Sequence, residues 1–314
     1  MRYLCRGAVM IVHRRKVVVK NYGEKGSFKL YLLGDIHYDD PLHDRKSFLK
    51  VIKKIEKDPT ALVLFTGDWL TFANTSTQKK MRATLNLSTS DARDSIDRMV
   101  MTTIDKIYKD VQPIQDKILG MTEGNHGWLF ETGETADQRL ATNLGVPLAE
   151  GILIVNLVLH YFTKNNVKNR SCTMNIVAHH GAGGGTTAGG DINAIEKRLA
   201  YFSNADLICM GHTHGLSCTP GSARFHITNS INPKVKESVP WIVRTGSFVD
   251  AFSDNSRASY PERRFMRPVV KGYVEFDVWM NVDKENKKES IETKLVGKAV
   301  PIGLAAVSEN PSNH

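Results

Sequence analysis

Long apolar runs are missing from this chain: nothing in its 314 residues approaches the roughly 20 residues that a membrane-spanning helix requires. A secretory leader is not read either. The short apolar patch from Ala8 to Val12 precedes the basic run His13-Arg14-Arg15-Lys16, the reverse of a leader's order, so a cytoplasmic location and no membrane partner are expected. Cysteine is scarce. Cys5, Cys172, Cys209 and Cys218 form no CxxC pair, which argues against thiolate-bound zinc and implies no disulfide framework, as in a reducing compartment. Cys209 sits in the apolar run from Leu207 to Met210 and reads as a core thiol. Acidic charge is also short. The formal net charge is +9, which favours a polyanionic partner such as nucleic acid, with a solvated lysine surface as the bland alternative.

What is present suits a large α/β fold. Hydrophobic content of 41% and charged content of 24% are ordinary for a globular protein of this size. The chain is organised around Lys29-Leu30-Tyr31-Leu32-Leu33-Gly34-Asp35-Ile36-His37, an apolar run that reads as a buried strand ending in a glycine turn. Asp35 and His37 then leave the carboxyl edge of a sheet, where open α/β folds put their sites. Phe48, Val51, Ile52 and Ile55 recur at helical spacing, with lysines on the opposite face. Ala61 to Phe65 is a second strand, ending in Gly67-Asp68. The stretch from Thr71 to Ser90 reads as a polar excursion over the site, and Ile96, Met99, Val100, Ile104 and Ile107 mark another helix.

Further strands are expected from Ile114 to Met121, Ile152 to Leu159, Asn175 to Ala178 and Ala205 to Met210. They lead into Gly124-Asn125-His126, into His179-His180, and into Gly211-His212-Thr213-His214. Late strands from Arg224, Trp241 and Gly272 would form a second sheet stacked on the first. The organisation expected is one domain over residues 1–282, with short strands in 1–28, an insertion at about 71–110, and a C-terminal extension over 283–314. Six of the eleven histidines directly follow expected strands: His37, His126, His179, His180, His212 and His214. Mixed imidazole, carboxylate and amide ligands suit borderline divalent metals. A shared aspartate between two ligand sets makes a two-metal site, which grips a phosphoryl oxygen and activates a water for in-line attack.

In this order, Gly-Asp-x-His, Gly-Asp, Gly-Asn-His, His-His and Gly-His-x-His resemble the calcineurin-like metallophosphoesterase family over Leu32 to Gly215. Lys54-Ile55-Glu56-Lys57-Asp58-Pro59 and His180-Gly181-Ala182-Gly183-Gly184-Gly185 resemble a bacterial and phage branch of it. The resemblance implies an αββα sandwich of two mixed sheets flanked by helices. It implies two divalent ions, manganese first, with iron, zinc, cobalt or nickel as alternatives. Asp35, His37 and His214 would hold one ion, Asn125, His179 and His212 the other, and Asp68 would bridge them. Asp68 and His126 form the catalytic pair, His126 protonating the leaving oxygen. On the substrate side stand Asn125, His126 and His180, with Gly183, Arg263 and Arg264 as further candidates. Thr71 stands where the family often has a second acid, and Gly127 where an acid often follows Gly-Asn-His; Glu123 or Glu131 is then the candidate to orient His126. The activity implied is phosphoester hydrolysis by a metal-activated hydroxide; the positive charge, not the motifs, puts a phosphodiesterase or nuclease acting on nucleotides or nucleic acid ahead of a small-molecule phosphomonoesterase. A non-catalytic metal-binding scaffold and a nucleic-acid-binding protein with structural metals are the readings from other classes.

Overall fold

The computed structural model describes residues 10–19, 27–73, 75–86, 90–162, 169–183, 187–199, 201–202, 204–227, 233, 235–251, 268–285 and 288–302. Fourteen strands and five helices are present among them: β1 (Ile11–Val19), β2 (Phe28–Leu33), α1 (Arg45–Lys57), β3 (Ala61–Phe65), α2 (Thr75–Asn86), α3 (Ser90–Val111), β4 (Ile118–Thr122), α4 (Ala136–Leu144), β5 (Leu148–Ala149), β6 (Leu153–Phe162), β7 (Asn169–His179), α5 (Ala188–Leu199), β8 (Leu207–Met210), β9 (Leu216–Pro220), β10 (Arg224–Ile227), β11 (Val235–Ser238), β12 (Trp241–Thr245), β13 (Gly272–Glu285) and β14 (Lys288–Pro301).

Two six-stranded sheets are stacked. One has the order β1-β6-β7-β8-β12-β9 and the other β14-β13-β2-β3-β4-β5, while β10 and β11 form a separate hairpin. Strand alternation builds the layers. Leu30, Leu32 and Leu64 point between the sheets, against Val155, Ile176 and Cys209. Their neighbours Tyr31, Leu33, Val63 and Phe65 point outward, against Phe48, Ile55, Ile104 and Leu140 of the helices. On the far side Val177, Ile208 and Ile242 pack against Ile195 of α5. The result is the αββα sandwich that the motif order implied. Cys209 is fully buried between the sheets, and burial pushes its thiol well up.

The sheets are assembled differently from the order expected. The late strands do not make a sheet of their own: β12 pairs with β8 in one, and β13 returns to pair antiparallel with β2 in the other. Glu275 of β13 accounts for part of that return. Its carboxylate is buried and forms ion pairs with Lys29 of β2, Lys54 of α1 and Lys298 of β14. The polar excursion carries a helix, α2. Pro113 starts a 3-10 turn over Gln112–Lys117, which delays β4 to Ile118 because the ring fixes φ for a helical start. No helix among the described residues is long and apolar enough to cross a membrane.

Helix α1 is closed at both ends. Asp44 caps its first turn by accepting from the Ser47 amide at 3.0 Å, and the Lys117 ammonium donates to the carbonyls of Ile55, Glu56 and Asp58 at its last turn. Strands β2, β3 and β4 are parallel, and so are β7 and β8. Their carboxyl ends therefore meet along one edge of the sandwich.

Candidate metal centre

The strand ends along that edge carry an unusual backbone. Asp35, His37, Asp68, His212 and His214 have φ between 47° and 70°, and among the described residues they are the only non-glycine residues with positive φ. Such conformations cost roughly 1–3 kcal/mol each and persist where the surroundings over-determine them. Here they do. The Asp35 and His37 amides donate to the carbonyls of Gly67 and Asp68, so the turns after β2 and β3 lock each other. The His212 amide donates to Asp35 Oδ1 at 3.0 Å, which ties the turn after β8 in the other sheet to the one after β2.

These turns project two groups of ligands. In each of Asp35, His37, His214 and Asp68, His180, His212, one donor atom per residue lies within 4.8 Å of the others. Asp68 Oδ2 faces both groups, 3.2 Å from His180 Nε2 and 3.7 Å from His37 Nε2. Asn125 Oδ1 stands 2.7 Å from both His180 Nε2 and His212 Nδ1. Close packing sets this geometry. A Cβ on Gly124 would fall 2.1 Å from Asp68 Oδ1, so only glycine lets the turn after β4 approach the turn after β3. His126 follows, its amide donating to Asp68 Oδ1 at 2.9 Å and its ring edge-on to His37 at 5.4 Å between centroids.

The resemblance, laid on the sequence, assigns His179 to the second ion; among the described residues the close-set donors beside Asp68 and His212 include His180 and not His179. The pleat is the reason. Met174, Ile176 and Ala178 of β7 face the space between the sheets and Val177 faces α5, so His180 continues the inward series and His179 the outward one. His179 Nδ1 accepts from the Gly181 amide at 2.7 Å. His180, by contrast, is buried and donates from Nδ1 to the Thr66 carbonyl at 2.7 Å, which turns Nε2 toward Asp68 and Asn125.

Thr71 does the same for the first group. His37 Nδ1 lies 2.8 Å from Thr71 Oγ1, and that hydroxyl reaches Asp40 Oδ2 at 3.5 Å. His37 Nε2 is left with a lone pair toward His214 Nε2, 3.0 Å away. Outer partners of this kind fix the tautomer of a metal-binding imidazole.

The charge states suit cations. Burial holds the His37 and His214 imidazoles down to about 3 and about 4, so both nitrogens are neutral ligands. Burial also pushes the Asp35 carboxyl up to about 7, against the pull of His180. Asp68 is buried too, yet its hydrogen bond with His180 holds its carboxyl below the usual carboxylate range. His180 answers it: burial opposes its positive charge, but Asp68 wins and raises it to about 9. Asp35 Oδ2 and His126 Nδ1 are buried without a hydrogen-bond partner. Two clusters of close-set donors, one of neutral imidazoles and one balanced by a single proton, with an unpartnered carboxylate oxygen, fit two divalent ions.

Residues absent from the sequence pattern support the site. Arg244, buried at the end of β12, donates from Nε to Thr213 Oγ1 at 3.1 Å, clamping the residue between His212 and His214. Asp137 of α4 accepts from the Gly124 amide at 2.9 Å and lines a cavity of about 160 Å³ together with His126. Its other oxygen has no hydrogen-bond partner. The Thr135–Gln138 capping box marks the start of α4 in the sequence, but nothing there signals that Asp137 turns inward. Of the acids proposed to orient His126, Glu131 pairs with Arg93 at 3.5 Å and Glu123 bonds Thr135. Gly183 has a φ of 74° and open space around it. Arg263 and Arg264 lie outside the described residues.

The family described as calcineurin-like phosphoesterase matches residues 28–216. No curated protein matches the chain. Among solved structures, Vps29 from Entamoeba histolytica aligns over 86% of this chain and 99% of its own at 11% identity and a TM-score of 0.36. Vps29 from Chaetomium thermophilum aligns over 90% of this chain and 100% of its own at 13% identity and 0.31. A conserved protein from Streptococcus pneumoniae, described as a predicted phosphoesterase, aligns over 85% and 98% at 13% identity and 0.31.

Proposed function

The chain belongs to the calcineurin-like phosphoesterase family, and on that premise we propose that it hydrolyses phosphodiesters of nucleotides or nucleic acid with two divalent ions. The observation that carries the proposal is the pair of adjacent ligand groups with Asp68 Oδ2 facing both. Asp35, His37 and His214 would hold one ion and Asn125, His180 and His212 the other, with Asp68 placed to serve both. When bound, such a pair supplies positive charge for a phosphoryl oxygen and lowers the pKa of a coordinated water.

The chain's own residues do the rest. Thr71 and the Thr66 carbonyl hold His37 and His180 by Nδ1, so the donor atoms are oriented before substrate arrives and little reorganisation remains. His126, with its amide held by Asp68 and its ring edge-on to His37, is the residue that delivers a proton to the leaving oxygen. Burial of Asp35, His37, Asp68 and His180 excludes water and strengthens every charge interaction inside. The net charge of +9 favours a polyanionic substrate.

The test is a manganese-supplemented screen over a bis-aryl phosphodiester, an aryl monophosphate, cyclic nucleotides, and single- and double-stranded DNA. Hydrolysis of diesters, abolished by Asp68→Asn, is expected. Hydrolysis of monoesters alone would overturn the diester assignment, and a chain that binds two ions yet cleaves none of these would overturn the enzyme.

A further inference from the structure

Helix α1 breaks two rules of helix stability on its outer face. Behind the Asp44 cap, its first turn contains no acidic residue and begins with Arg45 and Lys46, where the helix dipole favours negative charge. Lys46, Lys50, Lys53 and Lys57 then follow at intervals of four, three and four residues, spacings that place like charges next to one another and cost stability. At about 100° per residue the four fall within a sector of roughly 60°, directly opposite the buried Phe48, Val51, Ile52 and Ile55. All four are exposed, and among the described residues none has an ion-pair partner.

The neighbouring charges are accounted for. Lys54 turns aside to Glu275 and the Tyr31 and Tyr273 rings. Arg45 is held by Asp110 at 2.9 Å. Glu56, the one acid of the helix, lies off the stripe. A face where several local choices all oppose stability is one where another requirement is being met.

We propose that this lysine stripe is a docking surface for the sugar-phosphate backbone of a nucleic acid. The proposal deepens the phosphodiester assignment and rests on it. Charge complementarity selects the occupant: a line of uncompensated ammonium groups with no apolar residue among them binds a line of phosphates by releasing their counterions. Position agrees. The helix leaves the edge that carries the metal centre only eight residues after His37, and its lysine stripe from Lys46 to Lys57 runs about 16 Å back along the outer side of the second sheet. A strand held along it leads to that edge. An anionic membrane would also answer to the charge, but the stripe offers no apolar or aromatic side chain to insert.

The test uses the metal-loaded full chain and hydrolysis-resistant phosphorothioate DNA, as a 20-base-pair duplex and as a single strand. Binding is measured as a function of salt, and vesicles containing phosphatidylserine form a parallel arm. Replacing Lys46, Lys50, Lys53 and Lys57 together by Gln should weaken DNA binding roughly 100-fold at 50 mM salt. The slope of log affinity against log salt should become shallower by about 3 to 4 for the duplex. A control with Lys16, Lys79, Lys80 and Lys197 replaced by Gln removes the same charge elsewhere and should retain most of the slope. Unchanged binding in the stripe variant, equal losses in stripe and control, no DNA binding by the parent, or stripe-dependent binding of vesicles but not DNA would each overturn the proposal. Turnover of the bis-aryl diester by the same preparations reads the metal centre separately. It should be equal in parent and stripe variant, and its absence from both would overturn the enzymatic assignment while leaving the docking result to stand or fall on binding.

Discussion

The two ligand groups face the same carboxylate yet manage charge in different ways. Asp35, His37 and His214 form a largely buried cluster in which burial keeps both imidazoles neutral and a threonine hydroxyl fixes the tautomer of one. Asp68, His180 and His212 form a cluster with a proton of its own: Asp68 raises His180 to about 9, and Asn125 Oδ1 accepts at the centre. In the first group the two imidazoles are already in their ligand state at neutral pH, while the Asp35 carboxyl, pushed up to about 7 by burial, still carries part of its proton. The second is held together by a proton that an entering ion must displace, since metal ligands bind deprotonated. Two groups built from the same residue types can therefore be separated by substitutions that touch one and spare the other.

The largest effect is expected where they join. Asp68→Asn removes the carboxylate that both groups face, and turnover of a phosphodiester should fall at least roughly 10³-fold, read in initial rates at saturating manganese. Next in size is Thr71→Val, which deletes the hydroxyl behind His37 and leaves the Thr66 carbonyl behind His180. Loss of such an outer partner typically costs ten- to 100-fold in metal affinity. Calorimetric titration should show one ion weakened by about that factor and the other unchanged; equal weakening of both would mean that the groups are not separable.

Two further changes test the frame rather than the ligands. A Cβ on Gly215 would fall 1.7 Å from Arg244 Nη2, so Gly215→Ala should displace the clamp on Thr213. It should lower stability by about 1–3 kcal/mol in chemical unfolding, and loosen His212 and His214 together. The smallest effect lies outside both groups. Burial works against the charge of Asp44, but the Lys271 ammonium and the Ser47 amide outweigh it and hold its carboxyl at about 2. A carboxyl lowered in the folded state adds stability that is complete above about pH 4 and is lost as pH falls through 2. Asp44→Asn keeps a capping side chain and should cost at most about 1 kcal/mol at pH 6. The difference should vanish near pH 2, as read from urea midpoints at the two pH values.

Much of the metal centre could be read from residue order because its ligands lie directly after apolar runs, and a run that ends in Gly-Asp or Gly-His announces a strand end. Asp35, His37, Asp68, His212 and His214 all come from such ends and meet in the structure. The choice between His179 and His180 is where order alone is insufficient. It turns on the phase of the pleat, and Met174, Ile176 and Ala178 carry that phase in the sequence. Thr66, Thr71, Arg244 and Asp137 leave no comparable trace, because each acts through a contact made by folding distant segments together. The composition of the sheets was hidden for the same reason. Whether β13 lies beside β2 or in a separate sheet depends on partners such as Lys54 for Glu275, 221 residues apart.

The central claim is that two ions sit side by side on these groups. Elemental analysis of the full chain after manganese loading and desalting, paired with titration calorimetry, tests it most directly. Two ions per chain are expected in the parent, and one in His180→Ala, with the affinity of the ion on Asp35, His37 and His214 preserved. A parent chain that stays bare, or one whose metal content is indifferent to His180 and His214 alike, would contradict it.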